Sequence, residues 1–172
     1  MAASPALAAE ADTAPGRLLA AAFESGRAIP LAGFGIAWNK PLVLLRVGDT
    51  MRLHGLRGEA LAAIRESCRS NAEVTVEECR DQIAIELCRL LVLTGRTAEA
   101  EALLRHPTLL KPDADGKGGG DMWRRAGVRI AVQLGRLDLA RQVIAATTTP
   151  LWKSAALGDL AVAHAKAGPP MP

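Results

Sequence analysis

Aromatic side chains are scarce in this chain of 172 residues, which has two Phe, three Trp and no Tyr. A sheet core draws on aromatic and β-branched residues, so a composition dominated by Ala and Leu is a poor match to one and favours packed helices. Long apolar runs are lacking as well: no stretch approaches the roughly 18 apolar residues of a membrane-crossing helix. Nor is there a strong charge of one sign. Twenty-one Lys and Arg against eighteen Asp and Glu leave +3, whereas a nucleic-acid-binding face concentrates a larger basic excess. Cysteines are few and odd in number, and Cys68, Cys79 and Cys88 form no CxxC pair of the kind that a zinc site uses. Buried thiols acting as small hydrophobes account for them, Cys88 above all. In an oxidising compartment Cys68 and Cys79 would instead close a loop between two helices, worth about 3 kcal/mol by loop-closure entropy.

Catalytic patterns are missing too. No nucleophile motif, phosphate-cradling loop or paired-acid cluster is present, and His54, His106 and His164 fall in separate elements. The sequence therefore points away from an enzyme, and no cofactor or metal site is expected. Asp113 and Asp115 invite a calcium-loop reading. Lys117, however, stands where an oxygen ligand is needed, and no Glu follows at the twelfth place, so the glycine-rich run from Asp113 to Gly120 is expected to be a mobile connector.

Three regions differ in pattern. Residues 1–15 are Ala-rich without a helical period and read as disordered or as the remnant of a signal peptide, with the small-x-small pattern Ala6, Leu7, Ala8. Residues 16–40 offer a short helix from Gly16 and then an irregular apolar segment containing Ile29, Leu31, Phe34, Ile36 and Trp38. Asn39 suits a helix cap and Pro41 a first turn. From 41 to 168 apolar residues recur at helical spacing, and seven main helices in antiparallel pairs are expected.

A longer period runs through this last region. GLRGEALAAI, GRTAEAEALL and GRLDLARQVI begin at Gly55, Gly95 and Gly135, forty residues apart. Each places an alanine five residues on (Ala60, Ala100, Ala140) and an aliphatic residue nine on (Ile64, Leu104, Ile144). A helix, a tight glycine turn and a second helix held close by a small residue form an α-hairpin unit. Eleven, eight, seven and four places before the turns stand Leu44, Val47, Gly48 and Met51, then Ala84, Leu87, Cys88 and Leu91. Before Gly135 the same places hold Arg124, Gly127, Val128 and Ala131, a poorer match, and before Gly168 they hold Leu157, Leu160, Ala161 and His164.

This alternation of large and small residues resembles the tetratricopeptide repeat (TPR) family over residues 41–168. The family's own period is about 34, so each unit carries extra connecting residues, and HEAT-like hairpins, with a period nearer 40, remain the alternative. The resemblance implies an all-α fold, a right-handed α-solenoid of about three hairpins with a C-terminal capping helix. It also implies a non-enzymatic protein–protein interaction module. In the family, groove-facing places lie six and three residues before the turn glycine. Here they hold Asp49 and Arg52, Arg89 and Val92, Arg129 and Val132, then Val162 and Ala165, with Arg125 and Lys166 expected to add to the same face. Such a groove suits a protein partner carrying carboxylates, an acidic peptide or helix. Together with the N-terminal pattern this reads as an exported or periplasmic bacterial adaptor or assembly factor for a multiprotein complex. A permanent structural subunit of an envelope assembly is the alternative role, and the cytoplasm the alternative location.

Overall fold

The computed structural model describes residues 13–30, 39–112 and 120–167. Among them all regular secondary structure is helical, as the composition leads one to expect. The chain divides into two compact units, one ending at Gly95 and the next starting at Arg96. The first holds α1 (Ala14–Ala28), α2 (Asn39–Leu53), α3 (Arg57–Asn71) and α4 (Glu77–Leu93). The second holds α5 (Thr97–Leu104), the single turn α6 (Pro107–Leu110), α7 (Asp121–Gln133), α8 (Leu137–Ala146) and α9 (Pro150–Ala167). Residues 1–12, the apolar stretch 31–38 and the expected connector at 113–119 lie outside the described residues.

The three glycines sit where the period puts them. Gly55, Gly95 and Gly135 have φ of 79°, 76° and 70°, the left-handed region in which a Cβ is strained. Two of the turns close as Schellman caps. The Gly55 amide donates to the Arg52 carbonyl (3.1 Å) and the Leu56 amide to that of Met51 (2.9 Å). Likewise Gly135 donates to Val132 (2.9 Å) and Arg136 to Ala131 (2.8 Å). Met51 and Leu56, the two ends of the first cap, are buried in one apolar cluster with Ala60 and Ala63, flanked by Leu19, Phe23 and Val47.

Small residues set the helix spacing. Ala60, Ala100 and Ala140 are all fully buried. Facing Ala60 on α2 is Gly48, where an added Cβ would come within 3.0 Å of Ile64 Cγ1 and 3.3 Å of the Ala60 carbonyl. The α2–α3 hairpin can therefore approach at backbone distance. Pro41, in the first turn of α2 as expected, is tied to the far end of α3 by the Ser67 hydroxyl, which donates to its carbonyl at 2.6 Å. Helix α4 then packs on both α3 and α2, burying Ile83, Leu87, Cys88 and Leu91.

Helix α1 is longer than the short helix expected from Gly16 and takes in residues assigned to the segment 1–15. It begins at Ala14, capped by Thr13 Oγ1 accepting from the Gly16 amide (3.2 Å), and continues to Ala28. Gly26 is not a breaker here because its bare Cα is what contact requires. A Cβ there would stand 3.2 Å from Leu44 Cδ2 and 3.3 Å from Val43 Cγ1 on α2.

In the second unit α7 and α8 form the hairpin, α9 lies against both, and the turn α6 packs on α8. Arg124, Gly127, Val128 and Ala131, the weakest match to the pattern, are nevertheless all buried. Helix α9 departs from its expected phase. Leu157 is 50% exposed, and Ala161 and His164 are exposed too, whereas Ala156 and Leu160 face inward. The matched places before Gly168 thus describe the core only at Leu160.

Two substitutions separate backbone strain from packing. Gly135→Ala meets no atom within 4 Å, so its cost should be conformational alone, about 1 to 2 kcal/mol. Ala60→Leu should overpack the α2–α3 contact and cost about 1 to 3 kcal/mol or more. Urea denaturation measures both, and an Ala60→Leu variant as stable as the wild type would refute the close-packed hairpin.

Candidate binding face

The faces of α2, α4, α7 and α9 that turn away from the cores carry the arginines singled out in the sequence. Asp49, Arg52, Arg89, Val92 and Val132 are half-buried, and Arg129, Val162 and Ala165 are exposed. None of the eight groove places is therefore buried. Arg125 is half-buried, and the side chain of Lys166 lies outside the described residues.

These arginines are paired, each with acids of its own unit. In the first unit Asp49 Oδ1 accepts from Arg52 Nη2 (2.7 Å) and Nε (2.9 Å), while Arg89 Nη2 on α4 stands 3.6 Å from Asp49 Oδ2. Arg89 Nε donates to Glu86 at 3.0 Å. In the second unit Asp159 on α9 receives both Arg125 and Arg129 from α7. The Nε atoms of both arginines lie 3.0 Å from Oδ2, and Arg129 Nη2 lies 3.3 Å from Oδ1. Burial alone would raise the Asp159 carboxyl. Hydrogen bonds from Arg129 and Arg125, and then their charges, outweigh this and hold it below the usual carboxylate range.

The sequence gives little warning of two further clusters. Glu101 on α5 accepts from Arg136 Nε (2.7 Å) and Arg105 Nη2 (2.9 Å). These bonds, Arg136's first, lower its pKa. Deeper, Arg124 and Asp121 form an ion pair with side chains only 1% and 0% exposed. Arg124 Nη1 donates to Asp121 Oδ1 (2.9 Å) and Nη2 to the Lys111 carbonyl (2.9 Å). Asp121 Oδ2 accepts from the amides of Thr148 (3.0 Å) and Thr149 (2.6 Å) and from the Thr148 hydroxyl (3.1 Å). One carboxylate therefore sits in the first turn of α7 and also at the entrance of α9, where two helix dipoles favour negative charge. Burial pushes its carboxyl up, but the bonds from Thr149, Arg124 and Thr148 prevail and the net direction is down.

Cys68 and Cys79 are half-buried and Cys88 is buried. Burial drives the Cys88 thiol far above its ordinary range and the neighbouring Cys68 adds to that shift. A thiol so held is a core hydrophobe rather than a nucleophile.

Two of the hollows in the surface are lined wholly by described residues. One, of about 310 Å³, is lined by Thr97, Ala98, Glu101, Gln133, Leu134 and Arg136, and the Glu101–Arg136 pair lies along its wall. The other, of about 360 Å³, is lined by Thr13, Pro15, Gly16, His54 and Leu56. Among the described residues no group of three or more His, Cys, Asp or Glu is placed to hold a metal ion. No described helix is long and apolar enough to cross a membrane.

Comparison with protein-family models, with characterised proteins and with solved structures finds no match.

The buried pair makes a test of linkage. Because its native pKa is lowered, Asp121 contributes stability that is present above its unfolded value of about 3.9 and is lost as pH falls through the native value. Asp121→Asn should lower unfolding free energy at neutral pH by about 3 to 5 kcal/mol, since it leaves Arg124 buried without its counter-charge. The acid limb of its stability profile should also be shallower. Denaturant melts of both proteins between roughly pH 2 and 7 check this, and parallel profiles would contradict the assignment.

Proposed function

We propose that the chain is a TPR-like helical-hairpin protein whose work is binding other proteins, not catalysis. The observation that carries the reading is the division of labour on the first helix of each hairpin. On α2, α4 and α7 the places eleven, seven and four before the glycine are buried, whereas the places six and three before it are half-buried or exposed and include Asp49, Arg52, Arg89 and Arg129. Helix faces that are not used for the core yet carry guanidinium forks suit planar recognition of carboxylates on an acidic peptide or helix. The role that follows is an adaptor or assembly factor for a multiprotein complex, and we place it in the bacterial periplasm on the strength of the N-terminal pattern Ala6, Leu7, Ala8. A permanent structural subunit is the second reading, favoured by Leu151, Leu157 and Val162, which are 68%, 50% and 54% exposed on α9.

Replacing Arg52, Arg89, Arg125 and Arg129 together by Gln should leave the helical circular dichroism unchanged, because none of the four fills a core and Gln keeps a polar side chain of similar reach at each half-buried or exposed place. Tagged protein recovered from native cells should nevertheless lose its co-purifying partners. The same partners in the same amounts at low and high salt would overturn the reading. Partners retained by the quadruple variant but lost with Leu157→Asp would instead support the structural-subunit role.

A further inference from the structure

The two arginine clusters differ in charge. In the first, Arg52 and Arg89 meet Asp49 and Glu86, two cations against two anions. In the second, Arg125 and Arg129 meet Asp159 alone among the described residues. Arg125 donates only through Nε, and Arg129 through Nε and Nη2, so the Nη groups of Arg125 and Nη1 of Arg129 make no hydrogen bond among the described residues. Arg129 is also the more open, its side chain 59% exposed. Apolar groups lie one helical turn from the charges: Met122 before Arg125, Val132 after Arg129 and Val162 after Asp159. Met122 and Val162 are 42% and 54% exposed.

We propose that Asp159 is an internal stand-in for a partner's carboxylate, and that Arg125 and Arg129 are the docking point for an acidic protein segment in which Glu or Asp alternates with aliphatic residues. The proposal rests on the interaction-module reading and narrows it to one of two clusters. One incoming carboxylate gives the second cluster the balance of charge that the first already has. It does so through the open Nη edges, a bidentate geometry that guanidinium favours. The flanking Met122, Val132 and Val162 take aliphatic side chains, a contact that a sugar–phosphate backbone does not supply. Asp159 competes for the same donors and so sets the affinity: it holds the arginines extended while weakening what they can bind.

The probe is a fluorescein-labelled peptide of alternating Glu and Leu, titrated with the full chain at low salt and followed by anisotropy, with circular dichroism as the check on folding. Arg125→Gln combined with Arg129→Gln should weaken binding by about tenfold or more, and Arg52→Gln combined with Arg89→Gln should leave it within about twofold. Asp159→Asn, which keeps the shape and removes the competitor, should tighten binding severalfold, an effect that no merely structural role for Asp159 produces. Loss of binding in the Arg52/Arg89 variant with normal binding in the Arg125/Arg129 variant overturns this assignment and leaves the module reading intact. Weaker binding in Asp159→Asn overturns the stand-in role. Tighter binding of a phosphoserine peptide of equal length overturns the carboxylate assignment, as does a wild-type chain that ignores the acidic peptide while still capturing its cellular partners.

Discussion

A hairpin closed by a three-residue turn brings its two helices together, α2 on α3 in one unit and α7 on α8 in the other, and much of each unit answers to that constraint. The connections 54–56, 94–96 and 134–136 all have this length. Such a turn needs one left-handed residue, and Gly55, Gly95 and Gly135 supply it. Close approach then requires small side chains at the contact, which is why Ala60, Ala100 and Ala140 are buried without exception. At Gly48 the demand is so strict that even a methyl group would crowd Ile64. With the inner faces committed in this way, the outer faces of α2, α4 and α7 are left to carry charge.

The fold was legible where a single residue type is forced. Positive φ forces glycine and backbone-distance packing forces glycine or alanine, so the forty-residue recurrence reads directly as left-handed turns between helices. It was less legible where a residue has two uses. Gly26 breaks a helix by propensity but here serves contact with Leu44, and the sequence alone does not say which applies. Arg124 looked like a fault at an apolar place, yet its stem fills that place and its charge is met by Asp121, three residues earlier on the same helix. Helix α9 followed the pattern in letters but not in phase, because its position answers to Asp121 and to α7 and α8 more than to a following turn.

Arg52, Arg89, Arg125 and Arg129 lie half-buried or exposed, and their partners were not foreseen. Asp159 stands thirty residues beyond Arg129, and Asp49 forty before Arg89; only the packing of one helix on another brings them together. Glu86 and Asp159 do share one place, nine residues before Gly95 and Gly168. An acid recurring there, paired with an arginine on its own helix in the first unit and with two on a neighbouring helix in the second, was the available signal. Its weight appears only when each acid is counted against the cations that it meets, two for two in one unit and one for two in the other.

The carboxylate of Asp121 reaches 27 residues along the chain to the amides that open α9. Between them lie the whole of α7, its turn and α8. Those two amides find this carboxylate only when the α7–α8 hairpin has folded and α9 has come to lie with its entrance at the start of α7. One anion shared between two helix entrances thus ties the last helix of the second unit to its first long one, across a connection that neither helix makes by sequence.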